Sequence, residues 1–414
     1  MYHMDKDFQR FIRVWLISSA IFVATAVLFN AIMDPYLVIG TPQIQHFNAR
    51  KPAIDTNERL MKAYDMLRES SKTLILGSSS ADLGLNAQSA AWPAADRPVY
   101  NLSLRGGSPY VAYRYLQQVM SRHPPSLVVM GLEFESFILA PGNRGLDIDS
   151  EVPLGIAHDG RPSPNQKWHH ARDIIDATLS LHALSDSAIT LIQNFLGPPA
   201  GTGIENLSLT EPLRHVSSLP LVAVDDFSDS KWYGGKRRDP LVMGDLLGII
   251  NLCESLGTEL IFFISPSRAD ELEIFDLSGM WGEFEDWKRD LVRLTTAHRN
   301  ADETRGISLW DFTGYDIYST ESLPPNGKFL RWFQDSWHYR NEVGDMIIRR
   351  VLGAGNEGWG TRLTTQNIEM HIDSIRQQQH LYRTRQEEDA QQVRVFYQSM
   401  AAVRTRSLNN GVAP

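Results

Sequence analysis

The chain has 414 residues, 43% of them hydrophobic, enough to bury a large core in one big domain with insertions or in two. Its formal charge of −9, with no clustered Lys and Arg, argues against a nucleic-acid partner. The single cysteine, Cys253, excludes an intrachain disulfide, and no zinc-ligand spacing occurs, since His169–His170 lacks a third ligand at a helical or CxxC-like interval.

The N-terminus reads as an anchor. From Val14 to Met33 (VWLISSAIFVATAVLFNAIM) there is no charged residue, and at helical rise the run is long enough to span a bilayer. Lys6, Arg10 and Arg13 precede it, while after Asp34 the next Lys or Arg is Arg50. That asymmetry predicts a single-pass topology, with residues 1–13 in the cytoplasm and everything after Asp34 outside it. A cleaved signal peptide competes with this reading. Its h-region would be shorter, however, and the only A-x-A, Ala24–Ala26, lies inside the apolar stretch.

Beyond the anchor, Asp55 and Glu58 resemble a capping box opening a helix that runs to about Ser71. Short, β-rich apolar runs follow at Thr73–Leu76, Val99–Leu102, Ser126–Gly131, Glu259–Ser265 and Ile307–Phe312, as expected of parallel strands buried on both faces. Helical patterns lie between several of them, at Tyr110–Ser121, Leu241–Leu256 (stopped by Gly257) and Glu283–His298. The order predicts an α/β fold, a three-layer open parallel sheet, over roughly residues 50–352. Residues 141–240 interrupt it, Pro/Gly-rich at both ends and with one amphipathic helix from about His170 to Phe195, and read as an insertion or cap. Residues 361–414 are Gln- and Arg-rich and read as one long surface helix with a tail.

Open α/β sheets hold their ligands at the carboxyl ends of the strands. Here those ends are "LGSSS" (Ser78, Ser79 and Ser80), "NLSLRGG" (Gly106 and Gly107) and "GLEFESF" (Gly131 to Phe137). Near the end of the domain, "FQDSWHYRNEVGDMIIRRVL" sets Asp335 and His338 three apart, a spacing that puts two side chains on one face of a helical turn. Behind them Val343, Ile347 and Val351 repeat at i+4 and predict an anchoring helix. A serine, a histidine and an acid are what nucleophilic acyl transfer requires. The G-x-S-x-G elbow of α/β-hydrolases is absent, because Ala81 stands at its last position.

The set resembles the SGNH or GDSL-type hydrolases. Gly77-Ser78-Ser79 stands where that family has G-D-S, so the resemblance implies Ser79 as nucleophile. Gly106 matches the glycine of the second block, whose N–H faces the oxyanion, and Asp335 and His338 match the D-x-x-H of the last. The apolar anchor, Asp34-Pro35-Tyr36 and the "KP" at Lys51-Pro52 are similar to membrane-anchored members associated with polysaccharide O-acetylation. The resemblance thus implies an extracytoplasmic O-acyltransferase or esterase, without a cofactor or metal. Its partners would be an acylated glycan and a membrane acyl donor or synthase protein. One block departs from the family: Gly131-Leu132-Glu133-Phe134 replaces G-x-N-D, and an ionised Glu133 would repel an oxyanion instead of donating to it. Arg105 is the expected counter-ion for Glu133. Trp332, Phe333 and Trp337 flank the dyad, two of them expected in the core, and Arg268 after "LIFFISP" is a minor substrate candidate.

Two other classes compete. A tethered, non-catalytic accessory protein with a degenerate SGNH fold would explain Glu133. A phosphate cradle at "LGSSS" would need the P-loop lysine or a G-x-G-x-x-G, and the sequence has neither.

Overall fold

The computed structural model describes residues 6–138, 153–157, 159–197, 238–298, 306–322, 330–355 and 358–409. In chain order the elements begin with α1 (Lys6–Met33), α2 (Ile54–Asp65), β1 (Thr73–Leu76), α3 (Ser79–Gly84), β2 (Val99–Asn101), α4 (Pro109–Met120) and β3 (Leu127–Leu132). Then come α5 (Gln166–Leu179), α6 (Leu181–Leu196), α7 (Pro240–Leu256), β4 (Glu259–Ile264), α8 (Ala269–Leu277), α9 (Trp281–Ala297) and β5 (Ile307–Asp311). The last are α10 (Asn341–Val351), β6 (Thr361–Arg362), α11 (Ile368–Arg385) and α12 (Glu387–Asn409). The chain divides into two compact units, one of residues 1–69 with 147–209, the other of 70–146 with 210–414.

In the first unit, α1 is long and apolar enough to cross a membrane, and nearly all of its surface is exposed. Below its last turn the chain doubles back under close polar control. The Asp34 carboxylate accepts from the N–H groups of Ile39, Gly40 and Thr41, and Asn48 donates to the carbonyls of Ile32 and Pro42. The buried Lys51 ammonium donates to the Met33 carbonyl at 2.6 Å. Burial lowers Lys51 from 10.5 to about 8, against the opposing pull of Asp34. Thus Asp34-Pro35-Tyr36 and Lys51 together cap the exit of α1. Tyr36, Leu37, Val38, Met61, Tyr64, Ala177 and Ala183 form the core of this unit.

Two local expectations fail in this unit. Helix α2 starts at Ile54 behind Ala53, which makes no side-chain cap bond, so Asp55 lies inside the helix and not at its cap. The single helix expected at 170–195 is two, because the Ser180 hydroxyl accepts from Ala183 N at 3.0 Å and starts α6 anew. The flanks of that interruption, 141–152 and 198–237, lie outside the described residues.

In the second unit six strands form one sheet in the order β2-β1-β3-β4-β5-β6, all parallel except β6. The apolar runs are strands because both faces are covered: every residue of β1 and β3 is buried. Ile75, Val129, Ile261 and Phe263 on one face pack with Val343, Ile347 and Val351 of α10. Each such side chain contributes roughly 1.5–3 kcal/mol of burial. Gly257, with φ +69, ends α7 as the pattern predicts. The short antiparallel β6 has no apolar run to announce it, and the C-terminal segment is two helices, broken at Gln386. Helix α11 is fastened to the sheet by a buried cluster. Asp311, at the end of β5, accepts from Lys288 Nζ at 2.7 Å and pairs with His371 Nε2 at 2.8 Å. Burial opposes ionisation of Asp311, yet Lys288 and His371 outweigh it and hold the carboxyl well below the usual range.

Candidate active site

The chain runs from β1 to β2 on one side of β1 and returns to β3 on its other side, so the ends of β1 and β3 flank the crevice where such sheets bind ligands. At the end of β1, Gly77 turns the chain with φ +149, and a Cβ there would stand 2.7 Å from that of Ala81. Ser78 caps α3, its hydroxyl accepting from Ser80 N, and Ser79 is the first residue of that helix, half-buried, while Ser80 is buried. Asn101 holds the far end of α3 by donating to the carbonyl of Leu85 at 2.9 Å. Helix α3 nests closely on α10: a Cβ on Gly344 would lie 1.8 Å from the Gly84 carbonyl oxygen. That approach carries Ser79 toward the chain just ahead of α10.

Ser79 meets His338 there, with Oγ 2.8 Å from His338 Nε2. His338 Nδ1 lies 2.6 Å from Asp335 Oδ2. The second oxygen of Asp335 accepts from the backbone N–H groups of Trp337 and His338, both at 2.8 Å. Burial would raise the Asp335 carboxyl, but the hydrogen bond and charge of His338 and these two N–H donors hold it below its ordinary value. An ionised Asp335 can only accept, so Nδ1 carries the proton and Nε2 is free to take the one on Oγ. This geometry suits removal of the serine proton by a base in a fixed tautomer.

Asp335 and His338 do not sit on a helical turn, as their spacing suggested. They lie in a bend closed by a bridge between Phe333 and Tyr339. The contacts that restrain it are ones the sequence does not announce. Ser336 Oγ donates to Asp270 Oδ2 at 2.7 Å, Ser336 O accepts from Arg268 N at 3.0 Å, and Glu321 takes the N–H groups of Arg331 and Trp332. Arg268 itself is buried, donating to Asp270 and to the Glu321 carbonyl, and lines a separate cleft with Tyr382 and Gln386.

Glu133 follows β3 and takes hydroxyl partners. Ser265 Oγ donates to its Oε1 at 2.9 Å and Ser78 bonds it too. Arg105, expected on Glu133, instead donates to Asp82 Oδ2 at 3.1 Å. Burial raises the Glu133 carboxyl, with the two serines and the charge of His338 opposing, so it holds its proton more readily than an ordinary glutamate. A protonated Glu133 can donate a hydrogen bond. Glu135 is pushed up to about 7 by burial, in part against its own backbone N–H and aided by the charge of Glu133.

Gly106 turns the chain with φ +65, and a Cβ there would meet nothing within 4 Å. A small cleft of ≈ 210 Å³ lies beside this rim, lined by Ser78, Gly107, Ser108, Glu133 and Ser136. Phe333 is fully buried and Trp332 packs edge-on against Tyr318, while Trp337 stays half-exposed next to the dyad. His170 lies against the Tyr64 ring.

The structure thus brings Ser79, His338 and Asp335 into one hydrogen-bonded row and sets Arg105 on Asp82. No protein-family model matches the chain, and no curated protein matches it.

Proposed function

We propose that the chain is a membrane-anchored, SGNH-type serine acyl-ester enzyme, an O-acyltransferase or esterase, whose main domain faces the periplasm and acts on an acylated glycan of the envelope. The row Ser79–His338–Asp335, at 2.8 and 2.6 Å, carries this reading. Ser79 Oγ attacks the ester carbonyl as its proton passes to His338 Nε2. The C–O bond of the ester breaks, and the same proton leaves with the alcohol. Water or a sugar hydroxyl then attacks the acyl-serine, its proton taken by His338, and Ser79 is regenerated. The imidazolium formed on the way is stabilised by Asp335. The N–H of Gly106 is the candidate oxyanion donor, and Glu133, when it holds its proton, would supply a second in place of the amide that the resemblance leads one to expect. The length and apolarity of α1, with the basic residues ahead of it, support the anchor and its orientation.

The test is labelling of the full-length protein with a fluorescent alkyl phosphonate, which reports a nucleophile without requiring the true substrate. The label is expected on Ser79 alone, and to vanish in Ser79→Ala and His338→Ala. A folded protein that takes no label supports the tethered accessory reading, which Glu133 at the strand end favours.

A further inference from the structure

Helix α6 is built inside out for a helix in water. Its buried positions are Ala183, Ser187, Thr190 and Asn194, small or polar residues at spacings of three and four. Its outward face carries Leu181, Ile189, Ile192, Phe195 and Leu196, at 83%, 41%, 53%, 77% and 73% exposure, with His182 and Ser185 exposed among them. A helix against an aqueous surface shows the reverse, apolar residues in and polar ones out. Small and polar residues at the helix–helix contact with apolar ones outside are the arrangement of helices in lipid. No Lys, Arg, Asp or Glu stands on the outward face. The one acid of the helix, Asp186, is turned to the flank and accepts from Tyr36 OH at 2.6 Å.

The position of α6 says what covers that face. Both α5 and α6 pack against α1. Asn30, in the last turn of α1, donates from Nδ2 to the Thr178 carbonyl at 2.9 Å, two residues before the corner at Ser180. At its other end α6 is tied to the segment after α1: Arg50 N donates to Asn194 Oδ1 at 2.9 Å and Asn194 Nδ2 to Arg50 O at 2.8 Å. Leu179, ahead of the corner, is 55% exposed, and the last turns of α1 expose Leu28 and Ile32. The apolar surface of α1 and that of α6 therefore meet at the place where α1 would leave the bilayer.

We propose that α6 is a second membrane contact, lying in the lipid–water interface beside the exit of α1 with Leu181, Ile189, Ile192, Phe195 and Leu196 in the acyl boundary. Such helices sink roughly 5–10 Å into the headgroup–acyl region. The inference rests on α1 being a bilayer span. It adds that the rest of the first unit lies against the lipid instead of swinging free on a stalk.

The lone cysteine makes the test direct. Cys253 is buried and is replaced by alanine in the full-length chain. Single cysteines at Phe22, Ile192, Phe195 and the exposed Arg172 are then labelled with an environment-sensitive nitrobenzoxadiazole dye. Each variant is reconstituted into phosphatidylethanolamine–phosphatidylglycerol vesicles with or without spin-labelled lipid. Quenching by the lipid is expected at 22, 192 and 195 but not at 172. Quenching at 22 with none at 192 and 195 overturns the proposal and leaves the anchor standing. Its absence at 22 as well removes the anchor, and the proposal with it. Blue-shifted dyes at 192 and 195 that lipid does not quench mean that protein covers the face, whether a second copy or a partner, and also overturn it.

Discussion

Replacing Asp335 by asparagine separates the chemistry of the row from its architecture. Asn Oδ1 can keep the two backbone N–H bonds of Trp337 and His338 at 2.8 Å, so the bend should hold its shape. The group facing His338 Nδ1 at 2.6 Å becomes an amide N–H₂, which only donates. His338 must then accept at Nδ1 and carry its proton on Nε2. The Ser79 hydroxyl, 2.8 Å away, faces a donor where it needs an acceptor. A wrong tautomer in this arrangement costs about 10⁴ in kcat, or about 5.5 kcal/mol of transition-state stabilisation. The lost charge-assisted bond should cost stability only about 1.5–3 kcal/mol. The assay is hydrolysis of an activated acetyl ester by wild type and Asp335→Asn, with kcat and KM separated and near-ultraviolet circular dichroism to confirm the fold. The expected outcome is a collapse in kcat with KM little changed. A folded variant within about tenfold of wild type would refute the argument that Asp335 fixes the tautomer of His338.

Glu133→Gln should keep activity and alter its pH dependence. The raised Glu133 carboxyl is neutral below its pKa and ionises as pH rises, so the wild-type rate should fall over that limb while the Gln variant stays flat; superimposable profiles sink the idea. Gly344→Ala should force α3 off α10 at the Gly84 carbonyl, costing about 1–3 kcal/mol in a denaturation experiment and slowing phosphonate labelling of Ser79; unchanged labelling would mean that this contact does not position the serine. Lys51 is lowered from 10.5 to about 8, so between these values the unfolded chain binds more protons and the stability of the wild type should rise with pH. Lys51→Met should lack that rise, a difference of about 3 kcal/mol at most, read as thermal midpoints in detergent from pH 7 to 11; parallel curves would show that Lys51 is not held as described.

Local signals announced much of this arrangement. Five continuous apolar runs became five parallel strands within a residue or two, since burial on both faces leaves no room for polar alternation. The serine after β1 and the Asp-x-x-His before α10 were readable because each follows or precedes a strongly patterned element. Pairings over long separations were hidden. Nothing in "LIFFISPSRAD" says that Ser265 will reach Glu133 or that Asp270 will hold Ser336, contacts that span 132 and 66 residues. Arg105 illustrates the same limit. Its charge was visible, yet the choice between Glu133 and Asp82 depends on how α3 turns after Gly77. The break at Ser180 is hidden because the apolar spacing continues across it, although a serine is a far better cap than a helix-interior residue.

The cluster of Lys288, Asp311 and His371 bears on how the second unit is made. Asp311 and His371 are 60 residues apart in the chain. At about 5–20 residues per second of synthesis, the end of β5 waits roughly 3–12 s for its histidine. Through that interval Asp311 and Lys288 form an incomplete pair under a sheet edge that β6 and α11 have not reached. Until then the edge is a nascent-chain liability, open to a chaperone or to a neighbouring chain. A stop codon anywhere before His371 would make the interval permanent, so even a late truncation should yield aggregated or degraded protein and not a shortened enzyme.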